Sequence, residues 1–223
     1  MMRRFTKMIM AAILMICGTM SAQAQIDPQV TEIMRKCENV MSNPAGLEMT
    51  MTIEARMVVK LSGITATVAM KNEKSKATMV MKVLGREVIT EEGFDGTQEW
   101  NYKHIDLKKK GKEVKDTLTI KKSAKKSESD YDIDFGIDKD YKTATVKLSG
   151  RYYELTFKDP VKKDDPKKVV IKIDKDKYYF REMKAKQSGV SMTMTVTKIK
   201  FGVSDDIFKF DPAKYPNAVI VRK

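Results

Sequence analysis

Three Met-x-Met pairs, Met49/Met51, Met79/Met81 and Met192/Met194, carry the most distinctive side-chain chemistry in this sequence. Each pair sits in a run that alternates apolar and polar residues, so on a strand both sulfurs of a pair face the same side. Thioethers are unbranched and polarizable, and they pack against irregular or changing partners more readily than Val or Leu. The pairs therefore predict a soft apolar surface able to take in a guest, although core filling alone needs the same spacing. The predicted lining is Met49, Met51, Ile53, Met57, Met70, Met79, Met81, Trp100, Met192, Met194 and Val196. Soft sulfur also selects Cu(I), which leaves a copper-binding reading open. Against it, residues two apart on a strand lie roughly 6–7 Å apart, too far for one pair to share an ion, and no Cys or His stands nearby.

Catalytic and metal chemistry have less support. His104 is the single histidine, and no serine lies in a nucleophile elbow, so no catalytic residue is expected. Asp130, Asp132, Asp134, Asp138 and Asp140 form an acidic cluster, but the glycine and terminal glutamate of a calcium loop are misplaced. No cofactor or metal is expected.

The elements that must position the methionines begin with one helix. Asp27 can cap it, Pro28 suits its first position, and Val30, Ile33, Met34, Cys37 and Met41 recur at helical spacing before Asn43-Pro44-Ala45-Gly46 ends it. Downstream the pattern is strand and turn. Met49 to Leu61 alternates with its apolar residues on one face, Ser62-Gly63 reads as a turn, and runs at 64–71, 77–84, 86–91 and 97–104 follow as a meander. The stretch 106–142 is rich in Lys, Ser and Asp and reads as a mobile polar excursion holding one hairpin and a short helix. Alternation resumes at 143–148, 152–157, 168–173, 178–186 and 190–201. The expectation is a mainly β chain: a strongly curved antiparallel sheet or half-open barrel of about ten or eleven strands, with the N-terminal helix plugging its open side.

Arg3, Arg4 and Lys7 precede an apolar stretch from Met8 to Cys17, and Ala22-Gln23-Ala24 forms a small-x-small cleavage site. Residues 1–24 thus read as a secretory signal peptide and 25–223 as a single domain, with export to the periplasm. Cys17 follows the bulky Ile16, so cleavage before Gln25 without lipidation is expected. The net charge of +13 falls to about +10 with the leader, and export argues against nucleic acid as partner. Lys168, Lys172, Lys184 and Lys186 take the alternate positions of apolar strands, as a solvated outer face requires. A structural or assembly adaptor using that basic face stays open as a further reading. Cys37 is the lone cysteine after the leader and falls on the helix's apolar stripe, as a buried inert thiol would.

The segment Phe94-Asp95-Gly96-Thr97-Gln98-Glu99-Trp100-Asn101-Tyr102 and the tail Phe208-Lys209-Phe210-Asp211-Pro212 with Ala218-Val219-Ile220-Val221 resemble the LolA-like periplasmic outer-membrane lipoprotein carriers. The order of helix, meander, Trp/Tyr strand and F-x-F-x-P tail covers nearly the whole chain after the leader. The resemblance implies a half-open barrel whose apolar cavity holds lipoprotein acyl chains or other lipid. It also implies a monomer, with inner- and outer-membrane lipoprotein-sorting proteins as partners. Two segments depart from it. An arginine-proline step is replaced by Lys74-Ser75-Lys76, and the apolar lid helix by the polar run Ser123 to Ser129. Tyr131, Ile133, Phe135 and Ile137 are the anchors left for a gating flap over 121–140, and their two-residue spacing suits an added strand.

Overall fold

The computed structural model describes residues 25–56, 60–83, 85–105, 108–109, 112–113, 115–122, 137–187 and 189–222. The expected leader 1–24, Met57, the polar run at 123–129 and the anchors Tyr131, Ile133 and Phe135 lie outside the described residues.

Helix α1 (Pro28–Met41) starts where its chemistry says it should. The Asp27 carboxylate accepts the Gln29 amide at 2.9 Å, and Pro28 occupies a position whose N–H has no helical partner. Val30, Ile33, Met34, Cys37 and Met41 form its buried face. At its end, Gly46 adopts φ +87° and passes so close to β3 (Lys60–Lys71) that a Cβ would stand 3.0 Å from the Lys71 Cβ. Gly46 and Ala45 also accept the Gly202 and Val203 amides, which ties the helix exit to the other end of the chain.

Thirteen strands form one open sheet, in the order β1-β10-β11-β12-β13-β14-β2-β3-β4-β5-β6-β9-β15. The N-terminal half supplies a meander: β2 (Leu47–Arg56), β3, β4 (Lys74–Val83), β5 (Arg86–Phe94) and β6 (Gln98–Ile105). A second meander comprises β10 (Tyr141–Ser149), β11 (Tyr152–Pro160), β12 (Lys168–Asp174), β13 (Phe180–Gln187) and β14 (Val190–Phe201). The seam between them is the antiparallel pair β14 and β2, which runs from Ser191 with Arg56 to Phe201 with Leu47 and shifts register once, at Thr197. Short parallel strands close the two margins: β1 (Gln25–Ile26) against β10, and β15 (Val219–Arg222) against β9 (Thr117–Lys122).

Nine strands, β10 through β5, contribute to one core cluster with α1. Laid flat they would span roughly 40 Å, about twice the length of a 14-residue helix, so the sheet curves around the helix to bury that face. The expected architecture is therefore the observed one, extended by the two parallel margin strands.

Two local expectations are corrected. Ser62-Gly63 is not a turn but lies inside β3, where two β3 residues oppose Glu54 alone between the pairs Ile53 with Ile64 and Ala55 with Leu61. Gly63 at φ +76° makes this a bulge, the other structure for which a Ser-Gly step is suited. Within 106–142, β9 is an integral member of the sheet, bonded to β6 and β15 with Leu118 and Ile120 buried. The segment reads as polar because only alternate residues of β9 turn inward. The small hairpin β7 (Lys108–Lys109) with β8 (Lys112–Glu113) and the four-residue helix α2 (Ile137–Asp140) are both present, and Ile137 packs against the main core.

Candidate functional site

The cross-strand register brings the methionine pairs together. One row runs Val196, Met51, Ala66, Met79, Thr90 across β14, β2, β3, β4 and β5. A second runs Ile171, Met183, Met194, Ile53, Ile64 across β12, β13, β14, β2 and β3. Met49, Met51, Ile53, Met79, Met81, Met194 and Val196 are buried in the core cluster, and Met70 and Met192 pack half-buried against it. With Met34 and Met41 of the helix and Met183, ten methionines share this one core.

Among the described residues this face is closely packed. Met51 and Met79 are 3 % exposed, and Met49, the most open of the paired residues buried there, 9 %. The helix that covers it is anchored over β10 and β13: the Asp27 amide donates to Ala144 O at 3.1 Å, and the Cys37 thiol bonds the Phe180 backbone. Burial pushes that thiol up to about 12, so it is the inert side chain its stripe position implies. Away from these anchors, Ala66, Val68, Ala77, Met79, Thr90 and Glu92 line a shallow trough of about 10 Å³. That volume holds roughly one water. It exists because Ala66 and Ala77 are small and stand beside longer methionines on the same face.

Trp100 is the correction to the predicted lining. It pairs with Gly93, while the methionine face of β5 carries Val88, Thr90 and Glu92, so the indole stands on the opposite side of the sheet. There it joins Leu118, Ile120 and Tyr215 in a separate cluster, tilted against Phe210 at 5.4 Å between centroids. Gly93 makes the room, since a Cβ there would lie 2.1 Å from the Trp100 ring. Alternation along β6 could have placed Trp100 only relative to Tyr102, because the strand's in/out phase depends on its neighbours.

The outer cluster is polar at its centre. Glu91 accepts from Trp100 Nε1 at 3.1 Å and from the Tyr215 hydroxyl, and pairs with Lys76 at 3.1 Å. Burial raises its pKa, but these three partners together hold it below the usual carboxylate range. Beside it, Asp116 takes the Tyr102 hydroxyl at 2.8 Å and faces His104 Nδ1 at 2.7 Å. Burial, then Asp116, pushes Tyr102 up to about 12. The Asp95-Gly96 turn feeding this strand is closed by Thr97 and Gln98 amides on the Asp95 carboxylate, at 2.8 and 3.0 Å. The Trp/Tyr segment and the F-x-F-x-P tail thus meet each other, and both lie away from the methionines.

Across the lysine-rich strands, Lys172 and Lys184 flank Glu182 at 2.9 and 3.1 Å on the outer face, opposite buried Ile171 and Ile173. Among the described residues, no three His, Cys, Asp or Glu side chains converge as metal ligands do, and no helix is long and apolar enough to cross a membrane.

No family model and no curated protein matches the chain. Solved structures do. An uncharacterized conserved protein from Thermus thermophilus matches at 14 % identity and TM-score 0.49, over 87 % of this chain and 99 % of its own. The Mycobacterium tuberculosis lipoprotein LppX matches at 12 % and 0.47, over 81 % and 100 %. A LolA superfamily protein from Nitrosomonas europaea matches at 11 % and 0.33, over 81 % and 97 %. The site itself is read from this chain's own residues.

Proposed function

We propose that this chain is a periplasmic, non-enzymatic, monomeric carrier that holds the acyl chains of a lipoprotein or other lipid between α1 and the methionine face, for transfer toward the outer membrane. One observation carries the reading: all three Met-x-Met pairs, distant in sequence, converge on a single face of a single sheet beneath one helix. Aliphatic side chains would fill a permanent core equally well. Ten flexible thioethers supply a core that can repack when the helix gives way. Each methylene transferred from water to such a face contributes about 0.8 kcal/mol, so a long acyl chain can offset the contacts the helix gives up. The trough at Ala66 and Ala77 is where entry begins, since the small side chains there leave room on the face.

The test is uptake of a fluorescent acyl probe by the purified protein and its displacement by lipid. Substitution Ala77→Phe should close the trough and suppress uptake, while circular dichroism shows the fold retained. A folded wild-type protein that takes up no probe overturns the reading. Saturable Cu(I) binding without acyl uptake would transfer the methionines to the copper alternative.

A further inference from the structure

Two turns stand side by side at one end of the sheet: 149–152 between β10 and β11, and 174–179 between β12 and β13. The Lys175 amide donates to Arg151 O at 3.0 Å and joins them. Buried Asp174 fixes both, accepting the Asp176 and Lys177 amides at 3.1 Å each and Arg151 Nη2 at 2.8 Å. Tyr178 then adopts φ +54°, a left-handed conformation uncommon for a bulky side chain, where Gly or Asn would serve an ordinary turn. The effect is to deliver two adjacent tyrosine rings at this rim.

Cations sit on those rings. Lys36 Nζ stands 5.2 Å from the Tyr178 centroid, Lys177 Nζ 5.9 Å and Arg181 Cζ 5.6 Å from that of Tyr179, and Tyr179 is backed by Phe201 at 5.5 Å. Lys36 also pairs with Glu32, and Arg151 with Asp174. Lys175, Lys177 and Arg181 have no carboxylate partner among the described residues, and Asp176 is the exposed acid of the turn. Next to the first turn, Leu148 is 61 % exposed, the most exposed large apolar residue described.

We propose that this rim is a docking face for an anionic lipid surface. Three features select lipid over an acidic protein. Lys36, Lys177 and Arg181 rest on aromatic rings, so each of these positive heads has an apolar base, the pairing of wet tip and greasy body suited to a headgroup layer. The face is built from hairpin tips with a protruding leucine, not from a groove that would seat a peptide. The turn is already fixed by its hydrogen bonds, so little ordering is needed on contact. The inference does not depend on whether the methionine face takes a guest.

Cosedimentation tests it, with vesicles of phosphatidylcholine alone and with phosphatidylglycerol added. The wild-type protein should bind the second and not the first, and lose binding as salt rises. The variant K175E/K177E/R181E should bind at least about tenfold more weakly, given that one basic residue near such a surface is worth roughly fivefold. A control of equal charge change on the far side of the sheet, K121E/K122E/K214E, should stay within about threefold of wild type. Leu148→Ser, which changes no charge, should weaken binding several-fold. If the triple reversal fails to fold, K175Q/K177Q carries the same comparison. Absence of wild-type binding, equal losses in the two triple variants, or equally tight binding to a soluble acidic polypeptide each overturns the proposal.

Discussion

The two faces of the sheet are specified by opposite means. On the helix side, burial is achieved by methionines together with aliphatic and aromatic side chains packed chiefly through dispersion, and the unbranched methionines can change rotamer at modest cost. On the other side, under the C-terminal tail, Trp100, Tyr102 and Tyr215 are each fixed by a hydrogen bond to Glu91 or Asp116, and Gly93 is shaped to the indole. One face is adaptable and the other is locked. The locked face sets the sheet's far margin, because the Val219 amide bonds Asp116 O at 2.8 Å and starts β15 along β9.

The largest expected effect lies on the locked face. Gly93→Val would place a branched side chain where the Trp100 ring already sits, and the ring cannot retreat past Ile120 and Phe210 without breaking its bond to Glu91. A loss of about 3 kcal/mol or more is expected, read in urea unfolding, with a red-shifted tryptophan emission. A near-neutral result would mean that the indole is not held as tightly as the outer cluster requires.

On the adaptable face, truncation and reshaping should part company. Met51→Ala removes a side chain 3 % exposed in the middle of a row, and should cost about 2–4 kcal/mol. Met51→Leu, and likewise Met79→Leu, should cost under about 1.5 kcal/mol and yet narrow the range of acyl probes taken up, since stability tolerates volume-conserving exchange while adaptability does not. Equal uptake by the leucine variants would reduce the methionines to core filling.

This division also explains what was legible in the sequence. Helix α1, its cap and its buried stripe follow from spacing within one element, as do the inward sets of β2, β4 and β14. Trp100 went to the wrong face because alternation fixes which residues share a side but not which side meets the helix. That phase is set by Gly93 across the ladder and by a tail more than a hundred residues downstream. Strand β9 was hidden for a similar reason. The Val114 to Ile120 run stands out from the polar stretch, but Leu118 and Ile120 are too few to mark a member of the main sheet, and they are buried with Tyr215 and Trp100, which arrive from elsewhere. The seam of β14 with β2, which unites the methionines, is likewise a long-range pairing that no local pattern encodes.

Glu91→Gln should cost less than Gly93→Val or Met51→Ala, about 1–2 kcal/mol, since the amide can still accept from Trp100 or Tyr215 but no longer pairs with Lys76.

The smallest effect separates the two faces by pH. Glu91 is held below its ordinary value in the folded protein, so the folded state binds its proton less readily than the unfolded chain does. Its contribution is therefore fully present above the unfolded carboxylate pKa of about 4.3 and is lost as pH falls through the lower folded value. Acidification in that window should loosen the docking of Tyr215 and Phe210 on Trp100, seen as a change in tryptophan emission that Glu91→Gln abolishes. On the methionine face Glu92 lines the trough, so acyl uptake over the same window is read in Glu92→Gln, where it should change only as far as global stability does. If uptake instead followed the tryptophan signal in the wild type and became pH-independent in Glu91→Gln, the two faces would be coupled through β5, and the separation drawn here between a locked and an adaptable side would have to be given up.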